Sequence, residues 1–335
     1  MDLRNKCIFG LAVLVIGQSV QAAELERGTI VAPGAELEVI YDKGVWLEGP
    51  VQAPDGSLYV SDVTISFYSG GQLGAILSHD PATLETRVLR SPSGMTNGLA
   101  IGPDGALFAA SGADYGCRCV MRTDPETGVT TIVAGTFEGR SFNAPNDLVV
   151  TRDGTVYFTD PRYFGHEPLT QPVFGIYRVT PGGTPERVIV DAARPNGLAL
   201  SPDERRLYVA ENDIGSSDIQ VAEPYRQGGM DILAYDLDES GLPGPRRVLV
   251  DMEGQRGSDG LETDRDGNIY ATIQETEVQG VHVFSPDGER LALIPTPTMA
   301  TNVALVQSDD KTYLYATGGS NLYRIEVLSE KRNAQ

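Results

Sequence analysis

Short apolar runs separated by Gly, Asp and Asn recur along the whole chain, and six of them share one pattern. Each copy begins with a polar residue, continues with an apolar run, and places an acidic residue seven positions after the first. In most copies a second apolar run follows the acidic residue closely. We call the first residue of each copy the lead residue, and the six are Glu48, Asn97, Asn146, Asn196, Asp259 and Asn302.

This pattern predicts strands, because apolar and polar residues alternate and no long segment has helical periodicity. Successive lead residues are 49, 49, 50, 63 and 43 positions apart, so one unit recurs about every fifty residues. Repeats of that length built as strand, turn and strand are typical of propeller blades. The sequence therefore predicts an all-β fold, a six-bladed β-propeller. We expect strands within 36–41 and 321–327 to pair and close its ring.

The first residues of the chain suggest an exported protein. Arg4 and Lys6 precede a short apolar stretch and a small-residue site around Ala22, as in a secretory signal. We therefore expect residues 1–22 to be removed and residues 23–335 to form the propeller, periplasmic or secreted, without a membrane anchor. The net charge of −20 disfavours binding to nucleic acid. We expect a monomer or a weak oligomer.

Two local features remain open at this point. Cys117 and Cys119 need a turn between them if they are to form a disulfide. The longest insertion, 213–229, is polar and glycine-rich, which predicts a surface loop and leaves open whether it covers a site.

The lead residues have a chemistry in common. The innermost strand of each propeller blade lines a central channel, so equivalent positions point toward one axis. Carboxylate and amide oxygens arranged in a ring suit a hard cation such as Ca²⁺ or Mg²⁺. An Asn or Asp at the start of a strand also often caps a turn. Six copies in one phase, two of them acidic, favour cation binding over capping.

Other catalytic centres have less support in the sequence. None of the three histidines, His79, His166 and His282, occupies a lead position, which argues against a histidine-rich zinc site. The chain also has no G-x-S-x-G segment of the kind that carries a nucleophilic serine.

Four segments resemble the SMP-30/gluconolactonase family: EGPV at Glu48, NAPNDLVV from Asn143, PNGLALSPD from Pro195 and SDGLETDRD from Ser258. The resemblance implies one divalent cation, Ca²⁺ first and Mg²⁺, Mn²⁺ or Zn²⁺ as alternatives. Its ligands would be Glu48, Asn146, Asn196 and Asp259. The resemblance also implies hydrolysis of a small-molecule lactone or ester, and we expect substrate to contact Asn97, Asn143 and Asn302.

One position departs from the resemblance. The family's animal members carry an arginine two residues before the third lead residue, where this chain has Ala144. Arg140 and Arg162 are the candidates to supply a positive group in its place.

The predicted reaction is the opening of a lactone ring by water. The cation would polarise the carbonyl group, and Asp259 would act as general base. Two alternatives stay open. The same site could hydrolyse an aryl ester or a phosphotriester, or the ion could be structural in a non-catalytic binding propeller.

Overall fold

The computed structural model describes residues 28–65, 74–214, 228–275 and 277–330. These residues form six four-stranded sheets, one two-stranded sheet and no helix. The six large sheets stand around a central channel, and the innermost strand of each contacts the innermost strands of its neighbours. The predicted six-bladed β-propeller is therefore confirmed. The residues that the structure describes include no helix with the length and apolarity to cross a membrane.

The strands of the first three blades follow chain order from the axis outward. The first blade has β2 (Leu47–Gln52), β3 (Leu58–Asp62), β4 (Ala75–His79) and β5 (Thr86–Arg90). The second has β6 (Thr96–Ile101), β7 (Leu107–Ser111), β8 (Cys119–Thr123) and β9 (Thr130–Ala134). A small hairpin of β10 (Thr136–Phe137) and β11 (Arg140–Ser141) precedes the third blade. That blade has β12 (Leu148–Val150), β13 (Val156–Thr159), β14 (Ile176–Val179) and β15 (Glu186–Ile189).

The other three blades repeat this arrangement, and the last is completed from the start of the chain. The fourth blade has β16 (Pro195–Leu200), β17 (Arg206–Glu211), β18 (Ile232–Asp236) and β19 (Arg247–Val250). The fifth has β20 (Ser258–Thr263), β21 (Ile269–Ile273), β22 (Gly280–Phe284) and β23 (Arg290–Pro295). The sixth has β24 (Asn302–Ser308), β25 (Lys311–Gly318), β26 (Asn321–Val327) and, outermost, β1 (Glu38–Tyr41).

The ring closes where the sequence predicts. β1 pairs with β26 in antiparallel register, so the first strand of the chain is the outer strand of the last blade. The Thr301 hydroxyl adds an inner tie, because it donates to the carbonyl oxygen of Leu47 in β2 over 2.7 Å. Both ends of the propeller are thereby joined to each other.

Apolar side chains fill the space between adjacent blades. Tyr208 of β17 packs in one cluster with Leu261 of β20 and Ile269 of β21. Tyr270 of the fifth blade and Leu305 of the sixth belong to another cluster of the same kind. Burial of apolar surface contributes about 25 cal/mol per Å². These contacts therefore couple each blade to the next and hold the channel in a fixed shape.

Close approach at the channel requires glycine after some lead residues. Gly49 has φ +42°, and a Cβ at that position would lie 2.2 Å from the carbonyl oxygen of Asn97. A Cβ on Gly197 would lie 2.3 Å from the carbonyl oxygen of Asp259. The glycines let the inner strand of one blade contact the next lead residue directly.

The two features that the sequence leaves open have different outcomes. Cys117 and Cys119 form a disulfide with a Cα–Cα distance of 5.2 Å, and Arg118 between them supplies the turn with φ +54°. Most of the 213–229 insertion, residues 215–227, lies outside the described residues. Residues 1–22 also lie outside them, so the secretory signal stays a prediction.

The histidines lie apart from the lead residues. His79 is buried in β4, and its Nδ1 is 2.8 Å from the Thr86 hydroxyl. In β22, the His282 Nε2 is 2.8 Å from the carbonyl oxygen of Val278. His166 is half exposed in a loop, with Nδ1 3.6 Å from a carboxylate oxygen of Asp114.

Candidate functional site

A cavity of about 330 Å³ lies at one end of the channel, and we call it the axial cavity. Five of the six lead residues line it: Glu48, Asn97, Asn146, Asn196 and Asp259. They come from five successive blades, so the propeller brings together side chains that are up to about two hundred positions apart in the sequence. All four predicted metal ligands are in this group.

Irregular strand pairing surrounds these lead residues. In β2, β6, β16 and β20 the pairing with the next strand shifts by one residue at or just after the lead residue. Asn146 lies two residues before β12, outside the regular ladder. An extra residue of this kind bends a strand locally and redirects its side chains. We infer that these irregularities turn the lead side chains toward the axis.

Asn302 is not on the axial cavity. It lines a second cavity of about 620 Å³ at the other end of the channel, which we call the opposite cavity. Its backbone N–H donates to the Thr317 hydroxyl over 3.0 Å, and its own Oδ1 accepts from the N–H of Val303 over 2.8 Å. The amide oxygen is thus used to cap the start of β24.

The residue equivalent to Asn302 in the third blade is Asp147, not the lead residue Asn146. Asp147 donates its N–H to the Thr159 hydroxyl over 3.1 Å and accepts from the N–H of Leu148 over 2.9 Å, the same pair of bonds. By this equivalence the sixth counterpart of Asn146 is Thr301, which is fully buried and bonds to the first blade. The sixth blade therefore gives no amide or carboxylate from this position to the axial cavity.

The turn after β24 explains why the spacing in the sequence points to Asn302. In the third blade the ladder stops at the pair Val150 and Val156, and five residues form the turn. In the sixth blade the ladder continues to Ser308 and Lys311, and only two residues form the turn. The acidic residue seven positions after Asn302 therefore belongs to a different kind of turn, and the apparent phase is shifted by one.

Asn143 is also absent from the lining of the axial cavity. Its side chain is fully buried and bonded to the 170–171 segment: Oδ1 accepts from the N–H groups of Thr170 (2.9 Å) and Gln171 (3.0 Å). Its Nδ2 donates to the carbonyl oxygen of Gln171 over 3.2 Å. Asn143 holds this loop in place, behind Ala144, which does line the axial cavity.

The positive group of the axial cavity is Arg256, which the sequence analysis does not single out. Arg162 is fully buried and donates to the carbonyl oxygen of Asn143 over 3.3 Å, while Arg140 is exposed on β11. The position of Arg256 in the sequence could have identified it, because residues two or three positions before a lead residue lie just before the inner strand of that blade. Arg256 is three positions before Asp259, and Trp46 on the same cavity is two before Glu48.

The two carboxyl groups of the cavity share an unfavourable environment. Burial, and next the charge of Asp259, raise the pKa of Glu48 well above its ordinary value. Burial, and next the charge of Asp147, raise the pKa of Asp259. Such shifts express the cost of holding two negative charges away from water with few compensating groups. A bound cation would remove that cost.

Side-chain donors hold both carboxylates. The indole Nε1 of Trp46 lies 3.3 Å from Glu48 Oε1. The amide Nε2 of Gln274 donates to Asp259 Oδ2 over 2.5 Å, and Asn212 Nδ2 supports that amide from 3.5 Å. Gln274 therefore fixes the orientation of Asp259.

The remaining lead oxygen is that of Asn97. Its Oδ1 is buried and has no hydrogen-bond partner among the described residues. A buried carbonyl oxygen without a partner is costly, so a group that enters the cavity would relieve it. Within the described part of the chain, no three His, Cys, Asp or Glu side chains converge as metal ligands. A cation in this cavity would thus draw on amide oxygens as well as the two carboxylates.

Comparisons with known proteins show the family to which this chain belongs. Residues 109–320 match the profile of the SMP-30/gluconolactonase/LRE-like region. A gluconolactonase of Zymomonas mobilis is 34% identical over 277 residues, which are 77% of this chain and 72% of that protein. A lactonohydrolase of Aspergillus oryzae is 30% identical over 83% of this chain and 67% of its own length. The solved structure of a Xanthomonas campestris gluconolactonase is 27% identical, covers 92% of this chain and 98% of its own, and has a TM-score of 0.72.

Proposed function

Because the chain belongs to the SMP-30/gluconolactonase/LRE-like family, we propose that it is a lactonase that opens a lactone ring in the axial cavity. The relatives named as gluconolactonase and lactonohydrolase support this reaction class. The observation that carries the proposal is the convergence of five oxygen-bearing lead residues on one cavity, two of them carboxylates.

The donor set fits a divalent cation. Glu48, Asn146, Asn196 and Asp259 would hold it, and oxygen ligands of this kind favour Ca²⁺ among the candidates. The unpartnered Asn97 oxygen and the two carboxyl groups of raised pKa support the fit, since each is stabilised by positive charge. When bound, the cation would polarise the lactone carbonyl group.

Asp259 is our candidate for the general base. Its carboxylate faces the cavity and is oriented by Gln274. It would take a proton from water as the water oxygen bonds to the carbonyl carbon. The ring C–O bond then breaks, and Asp259 returns the proton to the released ring oxygen. The product is a hydroxy acid.

Arg256 would stabilise negative charge on the oxygen atoms bonded to the carbonyl carbon. Its guanidinium lines the cavity, and its Nε is buried without a hydrogen-bond partner among the described residues. The positive guanidinium group in this place complements the negative charge that develops on the carbonyl oxygen, and later the charge of the product carboxylate.

A pH-indicator assay tests this function. We would incubate the protein with aldonolactones, aliphatic lactones and phosphotriesters, after chelation and after reloading with Ca²⁺. We expect acid release from at least one lactone, its loss on chelation and its return with Ca²⁺. Turnover of phosphotriesters alone would favour the second hydrolase, and Ca²⁺ binding without any turnover would favour a non-catalytic binding propeller.

A further inference from the structure

The residues that line the axial cavity divide into a polar group and an apolar group. We call the five lead residues on this cavity, together with Arg256, the floor. The apolar group, which we call the wall, consists mainly of hydrocarbon and aromatic side chains, including Trp46, Val63, Ile65, Met95, Phe164 and Met299. Ile65 and Met95 are only 2% exposed, so they are fixed parts of the wall and not surface residues near it.

Most of the other polar side chains on the cavity are bonded to protein groups. The Tyr163 hydroxyl donates to the carbonyl oxygen of Asn212 over 3.0 Å. The Asn212 and Gln274 amides bond to each other, and Gln274 also bonds to Asp259. Asp114 is beside His166 at 3.6 Å. Once the proposed cation ligands are set aside, three polar groups on the cavity have atoms without a hydrogen-bond partner among the described residues: Asn97 Oδ1, Asn212 Oδ1 and Arg256 Nε.

We infer from this division, and on the basis of the proposed lactonase function, that the substrate is a lactone with an apolar alkyl or aryl substituent. The lactone ring would meet the polar floor and the substituent would lie along the wall. A polyhydroxylated sugar lactone carries several hydroxyl groups, and each one placed against this wall loses its bonds to water without replacement. An alkyl substituent loses nothing comparable and gains from burial.

The size of the cavity limits the substituent. At about 330 Å³ it lies near the lower end of the range of about 300–1,000 Å³ that small-molecule pockets occupy. We therefore expect a ring with a short chain or a single aromatic group to fit, and the benefit of added methylenes to stop after a few carbons.

The test is a substrate series on the Ca²⁺-loaded protein. We would measure kcat/KM for δ-lactones with no side chain and with side chains of one to six carbons, beside glucono-1,5-lactone. We expect kcat/KM to rise by about fourfold for each of the first methylenes, equivalent to ~0.8 kcal/mol per buried CH₂. Every member with a side chain should be a better substrate than glucono-1,5-lactone.

A pair of matched variants ties the effect to the wall. Met299→Gln keeps the length of the side chain but adds an amide to the cavity, whereas Met121→Gln makes the same change in β8, away from the cavity. We expect Met299→Gln to lower kcat/KM for the longer lactones by about five- to tenfold, the effect of an unpaired buried polar group. The unsubstituted lactone should be little affected, and Met121→Gln should leave the whole series unchanged.

Binding gives a second readout that does not depend on turnover. Trp46 is the only tryptophan of the chain and lines the wall, so its fluorescence reports occupancy. We would titrate alkyl-substituted δ-lactams, in which an amide replaces the reactive ester, and expect tighter binding as the chain lengthens.

The outcomes separate this inference from the function on which it rests. Preference for glucono-1,5-lactone, or a flat series with no effect of Met299→Gln, would overturn the apolar-substrate inference and leave the lactonase function standing. Failure to hydrolyse any lactone in the Ca²⁺-loaded state would overturn both.

Discussion

The two ends of the channel both contain buried acidic groups, but they use them differently. At the opposite cavity, the Asp147 carboxylate accepts from the backbone N–H groups of Leu148 and Leu198, each over 2.9 Å. At the axial cavity, Glu48 accepts from the Trp46 side chain and from the backbone of its neighbour Gly49, and Asp259 accepts from the Gln274 side chain. The Asn97 oxygen there has no partner among the described residues. One end uses its oxygens to hold strands together, and the other keeps them available.

A raised carboxyl pKa occurs at both ends of the channel. Burial raises the pKa of Asp147 to about 7, although the two backbone N–H groups act in the other direction. A carboxyl group can therefore be perturbed at either end of the channel, and the shift alone does not identify a site. The hydrogen-bond partners of each oxygen separate the two ends.

The largest expected effect contrasts one carboxylate from each end. Asp259→Asn keeps an oxygen of similar shape but removes the base, so turnover at saturating Ca²⁺ should fall by ~10²–10⁴-fold. Asp147→Asn should lower the melting temperature, because one backbone N–H loses its acceptor. Since Asp259 itself is kept, turnover of this variant should fall far less than turnover of Asp259→Asn. Lactone hydrolysis followed by a pH indicator measures the turnover of both variants. A Ca²⁺-saturated Asp259→Asn enzyme close to the parent rate would rule out Asp259 as the base.

A smaller effect contrasts an amide from each end. Asn196→Ala removes a proposed neutral ligand, and we expect Ca²⁺ affinity to fall by at least ~10–100-fold. Mutating a residue that only supports a metal ligand already costs about that much affinity, so losing a ligand should cost no less. Excess Ca²⁺ should restore part of the activity. Asn302→Ala removes only a backbone cap and should leave the Ca²⁺ affinity unchanged. Isothermal titration with Ca²⁺ measures both affinities. An equal loss of Ca²⁺ affinity in the two variants would contradict the assignment of Asn196 and Asn302 to different cavities.

The smallest effect concerns acid stability away from both cavities. Burial, then the charge of Arg324, lowers the pKa of His79 to about 4. The unfolded chain takes up this proton near pH 6.5 and the folded chain does not, so stability is lost as the pH falls through this window. We expect the loss to be about 1–2 kcal/mol between pH 6.5 and 5.

His79→Gln should remove that part of the pH dependence, which urea unfolding at several pH values measures. An unchanged pH dependence of stability would mean that His79 is not the group responsible.

Much of the fold was predictable because the repeat is long and regular. Six copies of one strand pattern fixed the number of blades, and the end segments predicted the closing pair β1 and β26. The same repeat correctly grouped five lead residues around one cavity. Equivalent positions of equivalent blades point the same way, so sequence phase was sufficient for these features.

The sequence alone was insufficient where the strand register or a loop determines which side chain reaches the axial cavity. Asn302 matched the spacing only because the turn after β24 is shorter, which moved Thr301 into the equivalent position. Asn143 lies beside the cavity but turns its amide toward the 170–171 segment. Arg256 enters the cavity from a connection between blades, where no repeat constrains the residue type. These three cases depend on packing between segments that are distant in the chain.

Anomalous diffraction from crystals of the chelated protein soaked in Sr²⁺, as a substitute for Ca²⁺, would locate the bound cation. We expect one strong peak in the axial cavity, within bonding distance of Glu48, Asn146, Asn196 and Asp259. A peak among Asp147, Glu262 and Asn302 in the opposite cavity, or an axial cavity without a peak at saturating Sr²⁺, would contradict it.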